Sequence, residues 1–149
     1  MYGDTAAIRR LARKMSEQGD DIRLDADRLV SASQLVLWDG RAAQAMRERM
    51  AERALALRRT ADRHDDAARA LRRHADEVDR LTDLIREVAH RVRGLVEGAR
   101  ARLADLAGRV ADLAGAAAPD PLDQALAEFR PPPDGHRDWL DVRAPGGVR

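Results

Sequence analysis

The 149-residue sequence contains no cysteine and very few aromatic side chains. The absence of cysteine excludes disulfide bonds and thiolate metal ligands. Aromatic residues make up 3% of the chain, so any core has to be built from aliphatic side chains and alanine. The sequence also lacks the run of about 18 apolar residues that a membrane span requires and the shorter apolar run of a secretory signal peptide. We therefore expect neither feature.

An excess of charge of one sign is also missing. Charged residues are 36% of the chain, yet the net charge is +1. Such a balance creates no strong overall field toward nucleic acid or a membrane surface. The largest local excess lies in residues 41–63, with seven arginines against three acidic residues. We interpret it as a solvated helix face, because interleaved aromatic residues and a known nucleic-acid-binding motif are both missing.

Residues that carry catalysis are scarce as well. The chain has no cysteine, three serines and no glycine-rich phosphate loop. His64, His74 and His90 do not show the four-residue spacing of metal ligands on a helix. We therefore predict no enzymatic activity, no catalytic residues, no metal site and no cofactor, and we interpret His64 as a packed residue of a helix seam.

Proline is confined to the end of the chain, because all six prolines lie at or after Pro119. Proline breaks helices, so its absence before that point permits long ones. Apolar residues at seven-residue spacing predict one helix over about residues 5–37 and a second from about 41 to 118. The predicted pairing seam consists of Ile8, Met15, Ile22, Leu29, Val36, Leu57, Leu71, Val78, Ile85 and Val92.

The companion positions of this seam differ between the two helices. In the second helix they are alanine up to about residue 76, which predicts a close approach to a neighbour. Beyond it Leu81, Val88 and Leu95 widen the apolar stripe, which predicts deeper burial. In the first helix we assign them to Leu11, Gln18, Asp25 and Ala32. Acid–base pairs four residues apart support the second helix: Asp65–Arg69, Asp76–Arg80, Glu87–Arg91 and Asp105–Arg109.

The segment Leu37-Trp38-Asp39-Gly40 separates the two helical patterns. Gly40 adopts positive φ at no steric cost and is expected to end the first helix. The sequence thus predicts an all-α fold with an antiparallel hairpin over residues 1–85. The first helix reaches only about half of the second, so residues 86–118 are expected to continue as an extension paired with another chain, or to fold back as a third helix. Gly94 and Gly98 are candidate weak points for a fold-back.

The last segment, residues 119–149, is rich in proline and glycine, and we predict it to be mostly disordered. Residues 122–129 have the composition of one or two amphipathic helical turns. In a disordered context Phe129 and Trp139 are expected to be exposed. The domain prediction is therefore a hairpin (1–85), an extension or third helix (86–118) and a tail (119–149).

The arrangement of helix, Trp38-Asp39-Gly40 and helix resembles the Trp-X-Gly family of type VII (ESX-type) secretion proteins. The small residues that follow Gly40 fit that family. The start Tyr2-Gly3-Asp4 and the stretch of residues 59–68 look like type VII secretion-signal domains of actinobacterial proteins. The resemblance covers about residues 2–85. The family's usual export signal, a tyrosine followed four positions later by an acidic residue, is not present, because Tyr2 is the only tyrosine and Ala6 stands four positions on.

The resemblance implies a secreted, non-enzymatic protein whose hairpin carries the export information. The expected partners are another helical protein or a second copy of the chain, with a type VII secretion ATPase docking at Trp38, Asp39 and Gly40. Trp38 has a second interpretation as a packed residue that closes the end of the hairpin. No specific nucleic-acid partner is expected. The alternative function is a cytoplasmic coiled-coil adaptor that oligomerises through residues 76–117.

Overall fold

The computed structural model describes residues 4–112, 118–143 and 145. Their regular elements are all helical: α1 is Thr5–Gln34, α2 is Arg41–Asp112, α3 is Pro121–Glu128, and a short 3-10 helix is Arg137–Leu140. The predicted all-α class, with two long helices packed together as a hairpin, is confirmed. Over the part of the chain that the structure describes, no helix has both the length and the apolar character needed to cross a membrane.

The boundaries of α1 follow from local hydrogen bonding at its start and differ from the prediction at its end. The Asp4 side chain accepts a 3.0 Å hydrogen bond from the backbone N–H of Ala7, as a helix N-cap does. The helix ends at Gln34, three residues before the predicted Leu37, and its C-cap Leu35 has an ordinary φ of −77°. A linker without regular secondary structure, residues 35–40, then leads to α2.

Gly40 begins the second helix and does not end the first, so that prediction is wrong. Its φ is +105°, which only glycine adopts without strain. Its carbonyl accepts the N–H of Gln44 at 3.1 Å, the first hydrogen bond of α2. The positive φ of Gly40 therefore directs the chain from the linker into the first turn of α2.

The second helix runs without a break for 72 residues. Gly94 and Gly98, the predicted weak points, both lie inside it. A glycine costs a helix only about 1 kcal/mol relative to alanine, and packing of the neighbouring Val92 and Val96 outweighs that cost. The last described helical residue is Asp112, and the predicted end at residue 118 lies across a stretch, residues 113–117, outside the description.

The chain divides into two compact units, Gly3–Val78 and Asp79–Arg149. We call them the hairpin unit and the C-terminal unit. The hairpin unit ends at residue 78, whereas the sequence predicted an end at residue 85. Because α1 is antiparallel to α2, the first turns of α1 lie beside the part of α2 that ends this unit. Arg9 near the start of α1 donates a 2.6 Å hydrogen bond to Asp76.

The predicted disorder of the tail is wrong for residues 118–143. Asp120 caps α3 by accepting the N–H of Leu122 at 2.8 Å, and Pro121 occupies the first turn, where proline is tolerated. Trp139, expected to be exposed, has no exposed surface at all. The tail is ordered because its apolar side chains cover the second half of α2 within the C-terminal unit.

Candidate interaction surfaces

The centre of the hairpin is built from small residues, which follow seven-residue spacing except at Ala43. The residues of α1 that are buried there lie one position after the predicted companions, so that assignment is wrong in register. A small side chain lets two helix backbones approach more closely than any larger one does, and this decides the register. The buried positions are Ala12, Gly19, Ala26 and Ser33 in α1 and Ala43, Ala54, Ala61, Ala68 and Ala75 in α2.

Gly19 lies at a close approach of the two helices. A Cβ atom placed on it would lie 3.3 Å from the Ala61 carbonyl oxygen and 3.3 Å from the Asp65 carboxylate. It would also lie 3.6 Å from the Cβ atom of His64. Glycine here is therefore a packing residue, and no turn or positive φ requires it.

The predicted seam residues of the hairpin lie beside this small-residue centre and are half-buried. In both helices they follow a central small residue by three positions, so they share one side of it. Because the helices are antiparallel, that side is the same for both, and Leu29 of α1 and Leu57 of α2 line one groove. We call this row the apolar side of the hairpin: Ile8, Met15, Ile22, Leu29, Val36, Leu57, His64, Leu71 and Val78.

The other side of the small-residue centre is polar and carries ion pairs between the helices. Arg23 donates to Asp65 at 2.5 Å and to Asp62 at 3.0 Å. Arg58 pairs with Asp27 at 2.6 Å in the same antiparallel register. The hydrogen bond from Arg23 holds the pKa of Asp65 below its ordinary value, and the same bond raises the pKa of Arg23. The two sides of the hairpin are thus chemically different.

His64 is the one polar member of the apolar side. It is half-buried as the sequence suggested, and its Nδ1 atom is shielded from solvent without a hydrogen-bond partner. The described residues contain no group of three or more His, Asp or Glu side chains placed to hold a metal ion.

The linker between the helices exposes large apolar side chains. Leu37 is fully exposed, Leu35 is 77% exposed and Trp38 is 46% exposed. Trp38 therefore does not close the hairpin as a packed core residue. Arg47 shapes the linker instead, because it donates to the carbonyl oxygens of Val36 at 3.1 Å and of Trp38 at 3.2 Å.

Two of the predicted seam residues, Ile85 and Val92, belong to a separate core in the C-terminal unit. They pack with Ala89, Val96 and Trp139, and Phe129, Val88 and Val142 lie against this cluster. The Trp139 indole N–H donates to the carbonyl of Pro133 at 2.9 Å. The ten predicted seam residues thus belong to two separate surfaces. Trp139 completes the second surface, and its burial was not predicted because no local sequence pattern indicates it.

The tail is also held by charge. Arg102 binds the carboxylate of Asp123 through two hydrogen bonds, of 2.9 Å from Nε and 2.6 Å from Nη2. These bonds hold the pKa of Asp123 below its ordinary value and raise the pKa of Arg102. Arg93 pairs with Asp134, and its guanidinium lies 5.7 Å from the centre of the Trp139 ring.

Comparison of the chain with protein-family models, with curated proteins and with solved structures finds no match in any of the three.

Proposed function

We propose that this chain is a non-enzymatic protein of type VII secretion, in which the hairpin unit pairs with helices of a partner and carries the information for export. The partner is another helical protein or a second copy of the chain. The observation that carries the proposal is the one-sided chemistry of the hairpin. Large apolar residues of both helices share one side, and ion pairs occupy the other.

An apolar side of this kind favours pairing. Its residues are only half-buried in the hairpin, because two helices that meet through alanine and glycine leave their larger neighbours partly in water. A second pair of helices would remove that surface from solvent, as antiparallel four-helix bundles do. The ion-paired side has no such need, since its charges are already satisfied.

The linker supplies a candidate docking point for a secretion ATPase. Trp38, Leu35 and Leu37 expose apolar surface together at the turn of the hairpin. Tryptophan is enriched where binding energy is concentrated at interfaces. This surface supports the docking interpretation of Trp38 over the packing interpretation.

The adaptor alternative uses a different surface. It needs residues 76–117 to be available to other chains, and because the tail covers Ile85, Val92 and Val96 of that stretch, it requires the tail to be displaced first. The apolar side of the hairpin unit lies largely outside that stretch, so we propose pairing through the hairpin as the first function to test.

The test is export from an actinobacterial host with and without its type VII ATPase. We expect the full chain in the culture medium of the first strain only. Equal amounts in both media, or none in either, would reject the proposal. Trp38→Ala is expected to reduce export while helicity and thermal stability stay unchanged, since Trp38 is nearly half exposed.

A pair of leucine variants tests the pairing step separately. Leu29→Glu places a charge on the apolar side and is expected to weaken association and export. Leu24→Glu makes the same change at a residue of α1 that is 52% exposed and does not line the groove. Equal behaviour of the two variants would show that the apolar side is not the pairing surface.

A further inference from the structure

The second half of α2 carries an apolar seam whose seven-residue spacing is more regular than contact with the tail requires. Within the C-terminal unit eight of its buried or half-buried residues follow two strict seven-residue series, and the half-buried Leu81, Val88 and Leu95 form a third row beside them. A pattern of this kind is needed to match another helix along its length. The two series, which we call the α2 stripe, are Ile85, Val92, Ala99 and Leu106, and Thr82, Ala89, Val96 and Leu103.

The tail covers this stripe without matching its period. We call residues 118–143 the strap. Its apolar contacts come from Phe129, Trp139 and Val142, which belong to three different local structures. The strap buries most of the stripe, and a groove of about 450 Å³ lies beside it, between α2 and the end of the strap. Leu84 on one wall of the groove is 38% exposed, and Leu140 on the other is 40% exposed.

The flanks of the α2 stripe carry arginine residues, and the strap provides hydrogen-bond acceptors for them. Arg93 and Arg100 follow the stripe at seven-residue spacing, and Arg102 lies on its other flank. The strap offers Asp134 to Arg93, Asp123 to Arg102, and the carbonyl of Ala127 to Arg100 at 3.3 Å. The strap thus presents to α2 both an apolar anchor, Trp139, and acidic groups at its edges.

We propose that the α2 stripe is a docking site for an amphipathic helix with acidic residues along its flanks, and that the strap is a built-in substitute for that helix which must be displaced before the helix binds. Charge decides the kind of occupant. The stripe of a second copy carries the same arginines and offers no acidic flank to them. A helix with glutamate at the flanking positions would pair with Arg93, Arg100 and Arg102 while its apolar row fills the seven-residue spacing.

The strap is held in a way that permits displacement. Trp139 is its one large, fully buried side chain. The remaining contacts of the strap are the buried Leu126, the partly buried Phe129 and Val142, the hydrogen bond from Arg100 to the carbonyl of Ala127, and the Arg93–Asp134 and Arg102–Asp123 pairs. A competing helix therefore has to replace one aromatic anchor, a few smaller apolar contacts and two acidic groups.

The test measures binding of two synthetic helical peptides to the full chain by fluorescence anisotropy. Both peptides carry leucine at the two seam positions of each heptad, and one has glutamate and the other lysine at the flanking positions. We expect Trp139→Ala to bind the glutamate peptide at least about tenfold more tightly than the unaltered chain does, because the strap no longer competes. The lysine peptide is expected to bind neither chain.

Three further variants test what the result means. In the Trp139→Ala background, Arg93→Glu with Arg100→Glu should reverse the preference to the lysine peptide, whereas the matched change Arg80→Glu, away from the stripe, should not. Asp123→Asn with Asp134→Asn keeps Trp139 in place and should give a smaller gain in affinity for the glutamate peptide.

Circular dichroism and sedimentation separate the outcomes. The proposal is overturned if Trp139→Ala associates with itself and binds neither peptide, since a second copy is then the occupant. It is equally overturned if Trp139→Ala loses helix content and the double asparagine variant shows no gain, because the strap is then a part of the fold that nothing replaces.

Discussion

The hairpin unit and the C-terminal unit share one long helix and one seven-residue period, yet they are stabilised in opposite ways. In the hairpin the fully buried positions are alanine and glycine, and the large residues beside them stay half-buried. In the C-terminal unit the largest fully buried side chains of the described chain, Trp139, Ile85 and Val92, form the core. The comparison shows that in this chain the same seven-residue spacing pairs two helices where the central residues are small, and is covered by a segment without that spacing where they are large. Large residues accept cover of irregular shape.

The strongest test of this contrast uses the two tryptophans. Trp139→Ala removes a fully buried side chain and should cost about 3–5 kcal/mol of unfolding free energy in the C-terminal unit. Trp38→Ala, at a residue that is 46% exposed, should cost much less. Hydrogen exchange of backbone amides would show Trp139→Ala releasing residues 118–143 and leaving the hairpin protected. Equal exchange in both variants would contradict the contrast.

A smaller effect is expected from two glycines that differ only in their surroundings. Gly19→Leu forces a side chain against the backbone of Ala61 and should destabilise the hairpin by about 1–3 kcal/mol. Gly94→Leu meets open space and should stabilise α2 by up to about 1 kcal/mol, since leucine is the better helix former. Urea denaturation of the two variants compares them directly, and a hairpin that tolerates Gly19→Leu would not be held by close approach.

Acid should weaken both units through different carboxylates. The pKa values of Asp65 and Asp123 are lowered in the folded chain, chiefly by hydrogen bonds from Arg23 and Arg102. The stabilisation from each is therefore complete above the ordinary pKa of 3.8 and is lost as the pH falls through the lower folded value.

Unfolding measured at several pH values below about 5 should show this loss. Asp65→Asn is expected to reduce the pH dependence of the hairpin, and Asp123→Asn that of the C-terminal unit. Asp21→Asn, an exposed change in α1, serves as the control. If neither of the first two variants differs from the control, the ion pairs contribute nothing measurable in solution.

The smallest predicted effect lies in the linker. Arg47→Ala removes the hydrogen bonds to the carbonyls of Val36 and Trp38 and should cost no more than about 1.5 kcal/mol for either bond. Amide exchange of residues 35–40 should become faster. Arg49→Ala, an exposed arginine two positions on, should leave that exchange unchanged.

Much of the fold was predictable because its causes are local. The absence of proline before Pro119, the seven-residue spacing and a single glycine-containing interruption predicted two long helices in a hairpin, and the structure confirms them. The pairs Glu87–Arg91 and Asp105–Arg109, four residues apart on one helix, also form. Periodicity and short-range pairing are properties that the chain carries before it folds.

Tertiary structure decided what depends on residues far apart in the chain. Asp65, which the sequence paired with Arg69, takes its hydrogen bond from Arg23, because antiparallel packing brings the two helices together. The choice of Ala12 and Gly19 over Leu11 and Gln18 at the seam also required the partner helix, since apolar character alone does not show where two backbones come closest. Trp139 lies in a proline-rich segment that has no helical pattern around it. Trp139 is buried because it packs against the apolar surface of Ile85 and Val92, some 50 residues earlier in the chain. No local sequence pattern indicates a contact between residues so far apart.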